Sequence, residues 1–512
     1  MYLCSKKGFR FSKATSIILA LLYITTPKLA GYLEAGHVGL INSMAWIPFV
    51  IFATIKLSEK PKLINSIFLA LSLSLLFYSH LPTFLIIAVS SGIFLLLKKK
   101  LAYYLLAGIL TFGLTAVSLL PQMEWQKAST RYLLLKDKDV YPKWQSVFEM
   151  PKIALIPWID GVKSMQKIDS EKWISIGFIP FLLAVYGFLK VKRKTKMALL
   201  ISAIPILLVV LNNASPIYPI LLKQNWYLLL RVSTRFWILI ILILIYLSGI
   251  AIENLSKQKK YKLIVYIVSF FAVIESIILG FVYLHKPVKY NQNLAPIGVY
   301  EYLASDKSLF RVFCLTRCLS QKTSSVYGLQ LLDGYNTVQQ KNFNQQAWQL
   351  TGIYWNYYTL SIPPIGAYTF SQLKPDAKSL GEYNVKYLIS PYSLSDKYFK
   401  LVKKIDGFFI FENESFIPRI YEIYKPNYIK VYIDEKQKQL VISEVYSSGW
   451  KAYLNGKEEV LVQETPNALR AVDIKPDTKF VDFKYNPDNY KLGKIIGLTT
   501  LLFLTIYVFK EK

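Results

Sequence analysis

Ten apolar runs of roughly 15 to 23 residues, separated by short connections of which every second one is crowded with lysine and arginine, constrain this chain more than any other feature. The runs lie near 14 to 30, 38 to 55, 63 to 79, 82 to 97, 101 to 120, 173 to 189, 197 to 211, 236 to 252, 262 to 284 and 492 to 509. In a bilayer a single segment satisfies its own backbone only as a helix, so the pattern predicts a polytopic α-helical membrane protein of about ten spans. The connections SKKGFRFSK, KLSEKPK, KKK at 98 to 100, KVKRKTK, SKQKKYK and KEK hold 21 lysines and arginines. The short connections between them, 28 to 37, 79 to 82 and 212 to 235, hold only Lys28, Lys223, Arg231 and Arg235. The positive-inside rule then places both termini in the cytoplasm, and the loop 121 to 172 and the segment 286 to 490 outside. No small-residue cleavage site follows the first run, so a removable signal peptide is not expected.

Composition agrees with a membrane reading. Of 512 residues, 53% are hydrophobic and 15% aromatic, too apolar for one soluble core. The net charge of +29 sits largely in the clusters between apolar runs, which points to anionic headgroups and phosphorylated lipids as acidic partners and not to nucleic acid. The plasma membrane is the expected location. Cys4, Cys314 and Cys318 are too few for a zinc motif or a disulfide framework. Cys314 and Cys318 in FCLTRCLS either form one small-loop disulfide in an extracytoplasmic domain or, if the strand stays extended, lie too far apart.

Four regions follow. Residues 1 to 285 form a helical membrane domain of about nine spans with an outer loop at 121 to 172. Residues 286 to 425 alternate short strands (FRVFCL, VKYLIS, FFIFEN) with helix-like stretches, an α/β region. Residues 426 to 490 give short alternating strands with an Asn455-Gly456 hairpin signal, a β-sandwich. Residues 491 to 512 form a last transmembrane helix.

The orientation gathers ionisable groups at one depth. His37, His80 and His285, with Glu34, Glu124, Arg131, Arg231 and Arg235, all fall at the outer ends of spans. They either line one outward-opening crevice or sit at the interface because polar residues are tolerated there.

The stretch 446 to 498 contains a Gly-Trp strand (SGWKAYL), an Asn-Gly hairpin, NALRAVDI and a Tyr-x-Pro before the last helix. Together these resemble the C-terminal region of bacterial YfhO-like membrane proteins. FENESFIPRIYEI at 411 to 423 and LLDGYNTV at 331 to 338 are similar to further stretches of that family. The membrane part, through GHVGLINSMAWIPFV, LFYSHLPTFLIIA, LLPQMEWQKASTR and SPIYPILLKQNWYLLLRVSTRFW, resembles both YfhO and the polytopic proteins called 6-pyruvoyl-tetrahydropterin synthase-related. The resemblance runs over most of the chain and implies a C-type glycosyltransferase (GT-C-like) fold. Such enzymes move a sugar from a polyprenyl phosphate to an extracytoplasmic glycan, lipid or cell-envelope polymer. They carry an essential acid in the first outer loop, and the relatives have several helices before the GH segment, whereas here 36 residues precede His37. The implied alternatives are a truncated front half, a front half on a separate chain, or Glu34 in that role.

A lipid-phosphate leaving group needs fixed cationic donors, and arginine's fork suits it better than lysine. Arg231 and Arg235 in RVSTR, four apart, share a face if the helix starts early, which makes them donor-phosphate candidates or interface anchors. An acceptor hydroxyl needs a base. Glu34 and His37 meet if their turn is helical; Glu124 is the other acid at that depth, and Glu34 and Glu124 are the catalytic candidates. His37, His80, Arg131, Arg231 and Arg235 are the substrate-binding candidates, with His80 also suited to cap a turn. Asp160 reads as a turn residue, and Trp125 and Trp158 could stack on a sugar ring. The histidines have no metal-ligand spacing, so no metal ligand is assigned and divalent-metal dependence stays open. Two readings result: a membrane glycosyltransferase, or a non-catalytic membrane protein whose outer domain binds glycan or a partner. Transport of a lipid-linked sugar is disfavoured by the scarcity of mid-span charge.

Overall fold

The computed structural model describes every residue except 134, 136, 137, 139, 285 to 293, 336, 337, 353 to 360, 363 to 372, 420, 434 to 436, 511 and 512. His285, Asn336 and Thr337 of LLDGYNTV, and Ile420 of the FENESFIPRIYEI stretch therefore lie outside the described residues. The chain divides into two units. The first comprises Met1–Ala116, Asp137–Val288 and Gly493–Lys512, and the second Val117–Lys136 and Lys289–Leu492.

The first unit is helical. Its elements are α1 (Lys13–Ile24), α2 (Pro27–Glu34), α3 (Val38–Glu59), α4 (Leu63–Ser79), α5 (Leu81–Leu97), the N-terminal part of α6 (Leu101–Ala128), α7 (Glu149–Ile159), α8 (Phe178–Lys190), α9 (Arg193–Val210), α10 (Trp237–Ser256), α11 (Lys259–Leu284) and most of the last helix, Asp488–Lys510. Two of the starts are explicit in the sequence. The Ser12 hydroxyl accepts from Thr15 N at the head of α1, and Pro27 opens α2 after a break at Thr25 and Thr26, so the first apolar run is two helices. Among the described residues six helical stretches are long and apolar enough to cross a membrane: Lys13–Glu34, Val38–Glu59, Leu101–Ala128, Ser233–Ser256, Lys259–Leu284 and Asp488–Lys510. Leu63–Ser79, Leu81–Leu97 and Phe178–Lys190 are apolar but shorter. With the sheets of the second unit, they make this a polytopic helical membrane protein with a β domain.

Close helix packing rests on small residues, as expected where lipid supplies no hydrophobic drive between helices. A Cβ at Gly187 of α8 would collide with the Leu247 carbonyl of α10. Two carboxylates inside spans are accounted for by helix ends. Glu275 of α11 accepts from Phe178 N (2.6 Å) and Ile179 N (2.9 Å), and Glu253 of α10 accepts from Ser12 N (3.0 Å) and Thr15 Oγ1 (2.9 Å). Glu275 satisfies two amides that the first turn of α8 leaves open, and Glu253 takes the Ser12 amide and the Thr15 hydroxyl at the head of α1, so neither calls for a transport path.

Among its described residues the second unit contains α12 (Ile297–Ser305), α13 (Lys341–Thr351), α14 (Ala377–Glu382) and fifteen strands: β1 (Arg311–Cys314), β2 (Gln330–Leu331), β3 (Gly334–Tyr335), β4 (Ser361–Ile362), β5 (Val385–Ser390), β6 (Phe399–Ile405), β7 (Phe408–Asn413), β8 (Ile423–Lys425), β9 (Tyr428–Tyr432), β10 (Gln439–Val445), β11 (Trp450–Leu454), β12 (Glu458–Val460), β13 (Gln463–Glu464), β14 (Leu469–Asp473) and β15 (Phe480–Tyr485). A mixed sheet of order β2-β1-β5-β7-β6 is parallel across β2, β1 and β5 and antiparallel beyond. Its central strands β1 and β5 are apolar on both faces because both are covered: Val312 and Cys314 pack with Val299 and Leu303 of α12, and Phe313 and Leu388 with Leu350 and Leu380 of α13 and α14. Downstream, the sheets β12-β11-β15-β9-β8 and β10-β14-β13 enclose a core that includes Val431, Ile442, Leu454, Val472 and Phe483. Asn455 (φ 51°) and Gly456 (φ 73°) turn β11 into β12, the left-handed conformation that Asn-Gly favours. Cys314 and Cys318 are bridged, with Cα atoms 5.8 Å apart. The extended geometry that would have separated them ends at Cys314, and Arg317 at φ 53° folds the chain back.

Candidate functional site

A polar cluster gathers in the first unit where α2, α3, α10 and the segment before α8 meet. On α2, Lys28 and Tyr32 lie one turn apart, with the Lys28 ammonium 5.0 Å from the Tyr32 ring centroid. Gly31 lies between them. A Cβ there would come within 3.0 Å of the Ser170 carbonyl oxygen and 3.5 Å of Trp173, so glycine lets the segment IDSEKW lie against the helix. That segment is fixed on two sides. Trp173 Nε1 donates to the Pro27 carbonyl (3.0 Å), and its ring stacks on Tyr283 of α11, centroids 5.1 Å apart, while the Tyr283 hydroxyl donates to Ile168 O (3.1 Å).

Held in this way, Glu171 becomes the centre of the cluster. Its Oε1 lies 2.7 Å from His37 Nε2, and Thr234 Oγ1 donates to its Oε2 at 3.5 Å. Lys28, fully buried, donates from Nζ to the carbonyls of Ser170 (3.3 Å) and Glu171 (3.2 Å). Burial alone would raise the Glu171 carboxyl, but the His37 hydrogen bond and the charges of Lys28 and Arg235 outweigh it and hold the group at about 2. Glu171 is therefore an ionised acceptor, and His37 carries its proton on Nε2. Beside it, burial and a hydrogen bond to Asp169 push the Tyr141 phenol well above its ordinary value. Two donors remain open: the Tyr32 hydroxyl and Nε of Arg235 are buried without a hydrogen-bond partner, and Arg235 is in electrostatic reach of both Glu171 and Tyr32.

The sequence candidates are distributed unevenly around this cluster. His37 belongs to it, but it does not meet Glu34 on a helical face. Helix α2 ends at Glu34, Gly36 at φ 68° breaks the turn, and His37 instead heads α3 and turns to Glu171; Glu34 is exposed at the end of its helix. Arg231 and Arg235 do not share one helix. The helix Asn225–Leu230 stops before Arg231, which has φ 62° and accepts at its carbonyl from Tyr141 N (2.6 Å), and Arg235 follows in the short 3-10 helix Ser233–Phe236. Arg231 nevertheless remains in electrostatic reach of Arg235. His80 caps α5, with Nδ1 accepting from Thr83 N (3.3 Å). Glu124 and Arg131 belong to the second unit, where Glu124 accepts from Ser448 Oγ (2.7 Å) and Asn489 Nδ2 (2.9 Å) and Arg131 lies in the 3-10 helix Thr130–Leu133.

Sequence reasoning passed over Lys28, Tyr32, Tyr141, Asp169 and Glu171. A signal existed: a lysine inside an apolar run needs a counter-anion, and the acids of IDSEKW stand beside a tryptophan just before a span. Chemically, the cluster offers an ionised carboxylate that orients an imidazole, together with the cations Lys28, Arg231 and Arg235. Among the described residues no group of three or more His, Cys, Asp or Glu side chains could hold a metal ion.

No protein-family model matches the sequence, and a comparison with curated protein sequences finds no match. One solved structure, that of the arabinofuranosyltransferase AftD from mycobacteria, is similar over 83% of this chain with 11% identity and a TM-score of 0.40. This chain covers 33% of that enzyme's length.

Proposed function

We propose that this protein is a membrane glycosyltransferase that takes a sugar from a polyprenyl-phosphate donor and delivers it to an extracytoplasmic glycan, lipid or envelope polymer. The observation that carries the reading is the Glu171–His37 pair set among Lys28, Arg231 and Arg235, with buried donors on Arg235 and Tyr32 that have no acceptor. The resemblance of the sequence to YfhO-like proteins supports the same class.

In this mechanism a carboxylate held near 2 is a poor proton acceptor at neutral pH, so Glu171 orients His37 through Nε2, and Nδ1 of His37 receives the proton of the acceptor hydroxyl. The acceptor oxygen bonds to the anomeric carbon as the bond from that carbon to the phosphate oxygen breaks. The departing phosphate takes the electron pair, and Arg231, Arg235 and Lys28 balance its charge. Glu34, exposed at the end of α2, contacts the acceptor. Ten spans, both termini in the cytoplasm and the second unit outside the plasma membrane complete the proposal. The bridged Cys314–Cys318 pair, which an oxidising compartment favours, supports that side for the second unit.

The test is donor capture and transfer by the same full-length protein in detergent. Arg231→Ala with Arg235→Ala is expected to lower polyprenyl-phosphate binding, read by tryptophan quenching of the full chain in detergent, by about a hundredfold. His37→Asn is expected to leave that binding intact and remove sugar transfer. Binding unchanged in the arginine double variant would overturn the site assignment, and transfer unchanged in His37→Asn would overturn the mechanism.

A further inference from the structure

The second unit contains a chamber that sugar transfer in the first unit does not use. Its volume is about 440 Å³, and its walls include Trp125, Arg311, Glu444, Trp450, Arg470 and Tyr485, drawn from the α/β sheet, the β-sandwich and the end of α6. That volume falls in the range of small-molecule sites. Two chemistries meet there. The rings of Trp450 and Tyr485 stand 5.4 Å apart, and Trp125 and Tyr485 are 37% and 41% exposed, an aromatic lining that suits the C–H face of a sugar ring.

The second chemistry is unbalanced positive charge. Arg470 is 6% exposed, lies with its guanidinium 4.0 Å from the Trp450 ring centroid, and donates from Nε to the Val445 carbonyl at 2.9 Å. Its Nη1 is buried and has no hydrogen-bond partner. The carboxylate that balances it is shared: Glu444 attracts Arg470, while its Oε1 takes Arg311 Nη2 at 2.8 Å and Arg419 Nη1 at 3.2 Å. Three guanidinium groups thus surround one acid, and Glu444 is the one acidic residue among the described residues lining the chamber. A buried charge in this condition calls for an anion, and the arginine fork is shaped for a carboxylate or phosphate.

We infer that this chamber binds an acidic sugar residue of a glycan, with the anionic group on Arg470 and the ring against Trp450 and Trp125. The anion is a uronate carboxylate or a phosphate ester, and both satisfy the same donor. A neutral sugar would fill the aromatic part and leave the charge unmet. This inference does not depend on the transferase reading, because it needs only binding by the second unit.

The experiment uses the full chain in detergent and isothermal titration with four probes. These are a glucuronate-containing oligosaccharide, a phosphorylated oligosaccharide, a neutral malto-oligosaccharide of equal length, and short-chain phosphatidylglycerol. At least one acidic saccharide is expected to bind about tenfold tighter than the neutral one or better, and the tighter of the two identifies the anion. Arg470→Gln is expected to erase the preference, with circular dichroism verifying the fold. Trp125→Ala, at an exposed position, is expected to weaken all saccharides by about tenfold and provides a readout should the arginine variant fail to fold. Arg231→Ala with Arg235→Ala should bind the saccharide as the parent chain does, which separates failure of this site from failure of the transfer site. Equal affinity for acidic and neutral saccharides, no binding up to about 10 mM, or binding of phosphatidylglycerol alone would overturn the inference.

Discussion

Glutamine in place of Glu171 keeps the shape of the side chain and removes the charge on which the cluster is centred. Because the carboxyl is held from its ordinary 4.5 down to about 2, the folded protein favours the ionised over the neutral form by about 3 kcal/mol more than the unfolded chain does. The neutral isostere should forfeit that amount at pH 7. For a unit of this size the loss corresponds to a fall of roughly 5 to 10 °C in Tm, measured by intrinsic tryptophan fluorescence of the full chain in detergent. The pH dependence carries the signature. Since the folded value lies below the unfolded one, the parent chain's advantage over Glu171→Gln is complete above about pH 4.5 and fades as pH falls toward about 2. Lys28→Met combined with Glu171→Gln should recover part of the loss, with a coupling of about 1 kcal/mol or more, because the buried ammonium no longer lacks its anion. Equal Tm values at pH 7, or strictly additive losses in the double variant, would refute the view that this carboxylate balances the cluster.

Two further outcomes follow from the same geometry. Gly31→Val places side-chain atoms where the Ser170 carbonyl already stands 3.0 Å from a Cβ; it should destabilise the chain by about 2 kcal/mol and weaken polyprenyl-phosphate binding, while Gly31→Ala should do less of both. Thermal unfolding and the quenching assay check this, and a valine variant with unchanged binding would show that the IDSEKW segment does not position the site. In the second unit, burial pushes the Asp333 carboxyl up to about 7 against the opposing Cys314 N–H bond and Arg317 charge. The folded state is therefore disfavoured progressively as pH rises from about 4 to about 7, and Asp333→Asn should stabilise the chain by up to about 4 kcal/mol at pH 8 and very little at pH 3.5. A difference that stays constant with pH, in urea unfolding, would refute it.

The helices were legible because apolar length is a one-dimensional property, although the first run breaks at Thr25 and Thr26 and the run from 173 becomes helical only at Phe178. The sandwich hairpin could be read from Asn455 and Gly456 alone, since the turn conformation belongs to those residues. The site was legible only in part. His37 and the two arginines could be found from their position along the chain, but Glu171 lies 134 residues from His37, and nothing local to either specifies that they meet. The helical turn on which Glu34 would meet His37, and Arg231 share a face with Arg235, does not form, because Gly36 and Arg231 leave the right-handed region between the paired residues or at their start. Spacing arguments presuppose a continuous element, and here each element ends where the chemistry begins.

The two carboxylates that close helix ends bear on how the chain is made. Glu275, on a helix otherwise apolar along its middle, would be costly to leave in lipid, on the order of a few kcal/mol. The amides it satisfies, at Phe178 and Ile179, belong to a segment synthesised almost a hundred residues earlier, and Glu253 likewise reaches Ser12 and Thr15 some 240 residues upstream. In both cases the open helix end leaves the ribosome first and the acid that closes it arrives later. Each late helix thus brings a built-in reason to leave the insertion machinery and seek an early one.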